Sequence, residues 1–363
     1  MKFVVFGLTI SSSWGNGHAT LWRGLCKALA RRGDTVVFFE RDVPYYADTR
    51  DYVDLPRGKL VLYRDWEDAS GRALAELHDA DVGIVTSYCP DGVAAGDLVT
   101  AAGCLSVFYD LDTPVTLARL AQGESIPYLA RQGLADFDLV LSYTGGRALD
   151  ALQDRLGARR VAPLYGHVDP DVHRPAAAQP HYRADLSYLG TYSADRQPGV
   201  ERLLIAPARR RPQQRFLIGG AQYPQNFPWT PNVYFVRHLP PSEHPAFFSS
   251  SRATLNVTRA AMAATGWCPS GRLFEAAACG VPVLTDVWDG LDTFFTPGRE
   301  ILAAATSDDA LGALDRDNAE LARIGRAARE RTLEQHTSER RASELVAALE
   351  SCGRSAETEM TEA

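Results

Sequence analysis

The 363-residue sequence predicts an α/β protein built from two doubly wound domains in series. Three observations carry this. Short apolar runs alternate with amphipathic stretches from residue 2 to about residue 164, a proline-containing stretch then breaks the pattern, and a second alternating series follows from about residue 185. Apolar runs of this kind, without polar alternation, suit strands buried on both faces of a parallel sheet.

In the first series, residues 2–8 (KFVVFGL) read as a strand, followed by a polar loop over 9–17 and a helix over about 19–32. Leu21, Trp22, Leu25, Cys26, Ala28 and Leu29 form the apolar stripe of that helix, Gly33 ends it, and 34–40 (DTVVFFE) is the second strand. Strands over 59–63, 81–87, 104–109, 138–142 and 161–164 then alternate with helices near 71–77, 93–101, 114–120 and 146–156. This series makes a first domain over 1–165. Residues 166–182, with Pro170, Pro175 and Pro180 and no hydrophobic period, read as a linker.

The second domain, 183–335, begins with a strand at 185–189, a helix at 199–209 and strands at 214–218 and 233–236. A helix at 243–248 and a strand at 253–257 lead to the stretch 269–286. Beyond it lie a helix near 292, a strand-like 300–304 and helices over about 308–349, the last of them a C-terminal helix at 336–350. Residues 351–363 (SCGRSAETEMTEA) have the composition of a disordered tail.

Composition narrows the function. Hydrophobic residues make up 45% and charged residues 23%, enough to build two cores. Lys2 followed directly by a strand, with no cleavable leader and no uncharged apolar run of about 18 residues, predicts a cytoplasmic protein without a membrane span. The six cysteines are scattered and form no CxxC pair, which predicts reduced core thiols and no zinc–thiolate site. A net charge of −7 offers no bulk attraction to nucleic acid, so any phosphate must be held by local groups.

The richest stretch is 269–286, PSGRLFEAAACGVPVLTD. Ser270 and Gly271 suit the start of a helix whose free N–H groups attract phosphate. Leu273, Phe274, Ala277 and Ala278 mark a buried face, and Glu275 falls among them, where a carboxylate needs hydroxyl or cationic partners. Gly280 follows the last turn, and 281–285 reads as a buried strand. These features alone would also satisfy an ordinary αβ unit of a doubly wound domain.

The same stretch resembles the donor-binding motif of GT-B glycosyltransferases, in which a phosphate-facing turn, a ribose-binding Glu and the run EAxACGxPV occur in that order. Ser270, Gly271, Glu275, Ala276, Ala278, Cys279, Gly280, Pro282 and Val283 match it. The resemblance implies a fold of two Rossmann-like domains facing a cleft, with acceptor on the first and donor on the second. It extends to runs similar to those of the spore maturation protein CgeB-like group: SWGNGHA, LGTYSADRQP, TLNVTR and PSGRLFEAAACGVPVLTDVWDGLD.

The loop after the first strand admits two readings. Gly15-x-Gly17 before a helix, with Glu40 ending the second strand, is the spacing of a dinucleotide fingerprint and would make the protein an NAD(P)-dependent oxidoreductase. Against this, Thr20 replaces the third glycine, and about seven residues separate Leu8 from the first. Alternatively, Trp14, Gly15, Asn16, Gly17 and His18 resemble the acceptor-side loop of inverting GT-B enzymes. There His18 takes the place of a general base for an acceptor hydroxyl, a task its near-neutral pKa suits. A histidine at a helix start also serves as a cap or a substrate hydrogen-bond donor. Asp110 or Asp112, after the 104–109 strand, is placed to orient an imidazole, and Asp112 equally suits capping the helix that Pro114 begins.

On the donor side the resemblance puts Gly190 and Thr191 against the diphosphate, Arg196 and Arg272 as candidate cations, the base near His238 and the sugar hydroxyls near Asp289. Either arginine also suits the surface. Asp286, Asp289 and Asp292 look like a carboxylate cluster, but the family generally needs no catalytic metal, and none is expected. The implied co-substrate is a UDP- or dTDP-sugar rather than a GDP-sugar, with no other cofactor. Its partners are a small-molecule donor and a small-molecule or surface-glycan acceptor, with no nucleic acid. Trp267 stands where retaining members usually carry a second Glu, which together with His18 points to inversion. A nucleotide-sugar epimerase on the same fold is the alternative activity.

Overall fold

The computed structural model describes residues 1–362, the side chains of 353–362 excepted. The chain forms two compact units. The first comprises Met1–Ser13, His18–Tyr165 and Ser338–Ala363, the second Trp14–Gly17 and Gly166–Thr337.

The first unit holds a seven-stranded parallel sheet: β1 (Lys2–Gly7), β2 (Thr35–Arg41), β3 (Lys59–Tyr63), β4 (Val82–Thr86), β5 (Leu105–Asp110), β6 (Leu139–Ser142) and β7 (Val161–Pro163), in the order β3-β2-β1-β4-β5-β6-β7. The second holds six parallel strands: β8 (Ala184–Leu189), β9 (Phe216–Gly220), β10 (Val233–Arg237), β11 (Ser251–Asn256), β12 (Val283–Thr285) and β13 (Leu302–Ala303), in the order β10-β9-β8-β11-β12-β13. Both sheets reverse direction of winding once, between β1 and β4 and between β8 and β11. Ligands of doubly wound sheets bind outside the carboxyl ends of the strands at this switch.

The central strands have the burial that their apolar runs predict. Phe3, Val4, Val5 and Phe6 of β1 and Val36, Val37, Phe38 and Phe39 of β2 are all buried. Leu186 and Tyr188 of β8 join Phe216, Ile218 and Leu255 in the core of the second unit.

Three local departures have physical causes. The helix expected over 199–209 runs as Gln197–Val200, a π-turn at Glu201–Ile205 and Ala206–Arg210. Pro207 lies inside it, lacks an N–H and crowds the preceding turn, and a widened turn relieves both. The helical C-terminal region divides into Ser307–Leu314, Asn318–Gln335 and Ser338–Glu362, the second and third of these starting anew where Asp317 caps and where Ser338 follows His336 and Thr337. The last backbone stretch continues as helix through Glu362 where the sequence places a disordered tail; the side chains of that tail beyond Cys352 lie outside the described residues. This final helix belongs to the first unit, where Glu339 pairs with Arg31 and Arg341 Nε donates to the Tyr165 carbonyl at 3.1 Å. Among the described residues no helix is long and apolar enough to cross a membrane.

Candidate functional site

In the first unit, the loop after β1 is held by Glu40 from the end of β2. Its carboxylate is fully buried and accepts the Ile10 N–H at 2.9 Å, the Ser11 N–H at 3.0 Å and the Ser11 hydroxyl at 2.5 Å. Both oxygens are thus committed within the protein, Oε2 to backbone N–H groups and Oε1 to the Ser11 hydroxyl. That removes the carboxylate the dinucleotide reading needs for a ribose.

His18 opens the His18–Arg31 helix and is half-buried. Its ring lies 6.1 Å from that of Tyr88, which follows β4, with the planes 24° apart. Tyr88 sits at φ 66°, a conformation non-glycine residues seldom adopt, and its hydroxyl donates to Asp112 Oδ2 at 2.8 Å. Strands β1, β4 and β5 therefore deliver His18, Tyr88 and Asp112 to the carboxyl edge of the sheet, around the winding switch.

The two aspartates left open by the sequence have different surroundings. Asp112 is the N-cap residue of the Thr113–Ala121 helix, yet its side chain makes no cap hydrogen bond. Asp110 is fully buried; its Oδ1 accepts the Asp112 N–H at 3.0 Å and the Thr116 hydroxyl at 3.2 Å, while Oδ2 has no hydrogen-bond partner. Burial, helped by the Asp112 carboxylate, pushes the Asp110 carboxyl up to about 6 against the opposing hydrogen bonds.

This has a consequence for stability. Asp110 holds its proton to a higher pH folded than unfolded, so the unfolded chain loses that proton first between about pH 4 and 6. The contribution of Asp110 to stability therefore falls as pH rises through this window, by about 3 kcal/mol at most. Asp110→Asn is expected to gain stability over wild type as pH rises from 4 to 7, measured by urea denaturation at each pH. A difference that stays constant with pH would refute the shift.

The second unit assembles a separate group at the ends of β8 and β11. Gly190 follows β8, and its N–H donates to the Gly219 carbonyl at 2.8 Å. A Cβ at Gly190 would stand 2.8 Å from the Tyr188 hydroxyl and 3.3 Å from Arg272 Nη2, so glycine is what lets the backbone come this close to the guanidinium. Arg272 Nη1 donates to Asn256 Oδ1 at 3.2 Å, and Asn256 is itself oriented by donating to the Thr285 hydroxyl at 3.1 Å. The Arg272 guanidinium also lies 5.6 Å from the centre of the Tyr188 ring. Among the described residues no carboxylate makes an ion pair with Arg272, and burial pulls its pKa below the usual value. A partly buried cation hydrogen-bonded to a neutral amide, with the Glu275 carboxylate acting on it only from beyond ion-pair range, favours an anionic ligand.

Arg272 stands in the first turn of the Gly271–Ala278 helix, whose N-cap Ser270 accepts the Arg272 N–H at 3.3 Å. Gly271 is the first residue of that helix. Thr191 presents its carbonyl to Arg196 Nη2 at 3.0 Å, while Arg196 Nε is buried with no hydrogen-bond partner. Arg259, nearby, is taken by Asp195 at 3.0 Å.

Glu275, one turn beyond Arg272, is 9% exposed. Its Oε1 lies 3.9 Å from His173 Nε2, which in turn is 3.2 Å from His244 Nδ1. Burial lowers both imidazole pKa values, that of His244 to about 4, so both rings are neutral at pH 7. The sequence reading missed His173, His244, Asn256 and Tyr188. His173 lies in the stretch read as linker, where no periodicity singles it out.

His238, at φ 49°, follows β10, donates its N–H to the Gly220 carbonyl at 2.8 Å and has the Trp14 ring 4.3 Å from its own. Trp14, Gly15, Asn16 and Gly17 belong to this second unit. Asp289 is exposed, and its carbonyl accepts the Trp267 N–H at 2.7 Å. Asp286 is buried and accepts the N–H and the hydroxyl of Thr258, each at 3.0 Å. Trp267 itself sits at φ 44°.

Residues 196–347 match the family described as "Glycosyl transferase-like". No curated protein matches the chain. Among solved structures, the sucrose-phosphate synthase of Thermosynechococcus elongatus is similar over 100% of both chains, at 16% identity and a TM-score of 0.69. HepE of Anabaena in complex with UDP-glucose is similar over 97% of this chain and 100% of its own, at 13% identity and a TM-score of 0.68. An alpha-glucosyltransferase in complex with UDP-glucose and DNA containing an abasic site covers 96% of this chain and 99% of its own, at 12% identity and a TM-score of 0.70. Identities this low establish shared architecture. The chain thus has the GT-B fold of these structures, and its residues 196–347 match the glycosyl transferase-like family.

Proposed function

We propose that the protein transfers a sugar from a nucleoside diphosphate sugar, a UDP- or dTDP-sugar, to an acceptor hydroxyl without a catalytic metal. The observation that carries this reading is Arg272: a partly buried guanidinium with no carboxylate in ion-pair contact, held by Asn256 and Tyr188 beside Gly190. The glycosyl transferase-like match over residues 196–347, which takes in Asn256 and Arg272, supports it.

In this reading Arg272, Arg196, the backbone at Thr191 and the helix start at Ser270 and Gly271 neutralise the departing diphosphate, the largest electrostatic task of the reaction, and Gly190 leaves the room for it to approach. Glu275 accepts from the ribose hydroxyls, the segment at His238 borders the base, and Asp289 meets the sugar. His18 removes the acceptor proton as the acceptor oxygen attacks the anomeric carbon and the nucleoside diphosphate leaves. Asp112 acts on His18 by fixing Tyr88, with Trp14, Gly15, Asn16 and Gly17 shaping the acceptor side. Trp267 in place of a carboxylate favours direct displacement with inversion. The net charge of −7 favours a small molecule or glycan over nucleic acid as acceptor, and six free cysteines favour a cytoplasmic setting. Within glycosyltransferases the CgeB-like group fits the motifs best.

UDP at a hundredfold excess over its Kd is expected to stabilise the protein by about 2.7 kcal/mol, a rise in Tm of roughly 3–4 °C for a chain of this length. A thermal-shift series with UDP, dTDP and GDP measures this. Failure of all three to raise Tm would sink the proposal.

A further inference from the structure

Three side chains that the sequence keeps far apart meet within the second unit. His173 comes from the segment before β8, His244 opens the His244–Ser249 helix, and Glu275 lies in the Gly271–Ala278 helix. One donor atom from each lies within 4.8 Å of the others. His173 and Glu275 are buried and His244 partly so.

The spacing is close to that of a bound metal ion. Two imidazole nitrogens held at about 2.0–2.1 Å from one Zn²⁺ in tetrahedral geometry stand roughly 3.3 Å apart. His173 Nε2 and His244 Nδ1 are 3.2 Å apart. Glu275 Oε1 lies 3.9 Å from His173 Nε2 and within 4.8 Å of the His244 donor atom, so it moves inward to complete the set.

The surroundings of His244 suit a ligand. Its Nε2 lies 3.2 Å from the Leu239 carbonyl, which can only accept, so Nε2 carries the proton and Nδ1 presents a lone pair toward His173. A backbone carbonyl on the far nitrogen is the outer contact that orients metal-binding imidazoles. In the metal-free protein His173 fills that lone pair with its Nε2–H. On binding, His173 moves the proton to Nδ1 and offers Nε2 to the ion, with no net proton release. Two imidazoles and a carboxylate select Zn²⁺, Co²⁺ or Ni²⁺ over Mg²⁺ or Ca²⁺, which prefer all-oxygen sets.

We propose that His173, His244 and Glu275 form a transition-metal site, and that its occupancy inhibits the enzyme by taking Glu275 away from the nucleotide. The second half rests on the role of Glu275 proposed above; the first does not.

The test titrates the full-length chain with Co²⁺, following the visible bands of four-coordinate cobalt, and measures Zn²⁺ uptake by equilibrium dialysis. One ion per chain is expected, with affinity lowered at least tenfold in His244→Gln and in Glu275→Gln, and no response to Mg²⁺. Glu275→Gln is nearly isosteric, so it decides the matter if His244→Gln fails to fold by circular dichroism. No stoichiometric uptake, or uptake unchanged in Glu275→Gln, overturns the site. Excess UDP is expected to weaken Zn²⁺ binding. If the ion binds through these residues and UDP leaves its affinity unchanged, the competition is overturned while the site stands. If UDP binds wild type and is lost in Glu275→Gln, but no metal binds, the metal site falls while the nucleotide role stands.

Discussion

His18→Ala is expected to lower turnover by roughly 10²-fold or more while leaving the UDP-induced rise in Tm unchanged. The two readouts separate because His18 belongs to the first unit and the diphosphate-binding candidates belong to the second. His18 is half-buried at the start of its helix, against a Tyr88 whose hydroxyl is committed to Asp112. A ring held by its neighbours in this way loses little freedom on reaching a reactive geometry. Steady-state kinetics with donor and acceptor, run beside the thermal shift, measures both quantities. Retention of full turnover in His18→Ala would assign the proton transfer to another group.

Arg272→Met carries the second large effect. Charge-assisted hydrogen bonds to a diphosphate are worth about 1.5–3 kcal/mol, so UDP affinity is expected to fall by roughly 10–100-fold. Stability without ligand is expected to move the other way, or not at all. The guanidinium has Asn256 and the Tyr188 ring as partners and no carboxylate among the described residues, and methionine fills a similar volume without the cost of a desolvated charge. Isothermal titration with UDP and a thermal melt of the free protein report the two. A variant that loses stability but binds UDP as tightly as wild type would make Arg272 a structural residue.

The fold was legible because its signals are local. Val4, Val5 and Phe6 are apolar without a break because β1 is covered on both sides, and Leu21, Leu25 and Ala28 repeat at helical spacing because one face of their helix is buried. Ser270 and Gly280 likewise mark the start and end of one helix through their own chemistry: a hydroxyl that accepts the Arg272 N–H, and a left-handed backbone at φ +78° just past the last turn. Pro207 was the exception. Its helix was foreseen, but the π-turn that accommodates it depends on how the surrounding turns relax.

The sites were legible only in part. Gly190 and Arg272 could be named from motif order, yet that the glycine's backbone abuts the guanidinium follows from β8 lying beside β11. Glu40 illustrates the opposite case: its position after β2 suits a ribose ligand, and only the path of the loop over 10–11 shows that both its oxygens are already used.

The sequence by itself determined two βα series, the break between them and the helix that carries Ser270, Arg272 and Glu275, because periodicity and capping act within a few residues. The tertiary structure decided which aspartate is sealed in the core and which meets Tyr88, and it joined His173, His244 and Glu275. Those outcomes depend on strand order and on burial, which sum contributions from segments distant in the chain and leave no mark in the residues next to the ones they select.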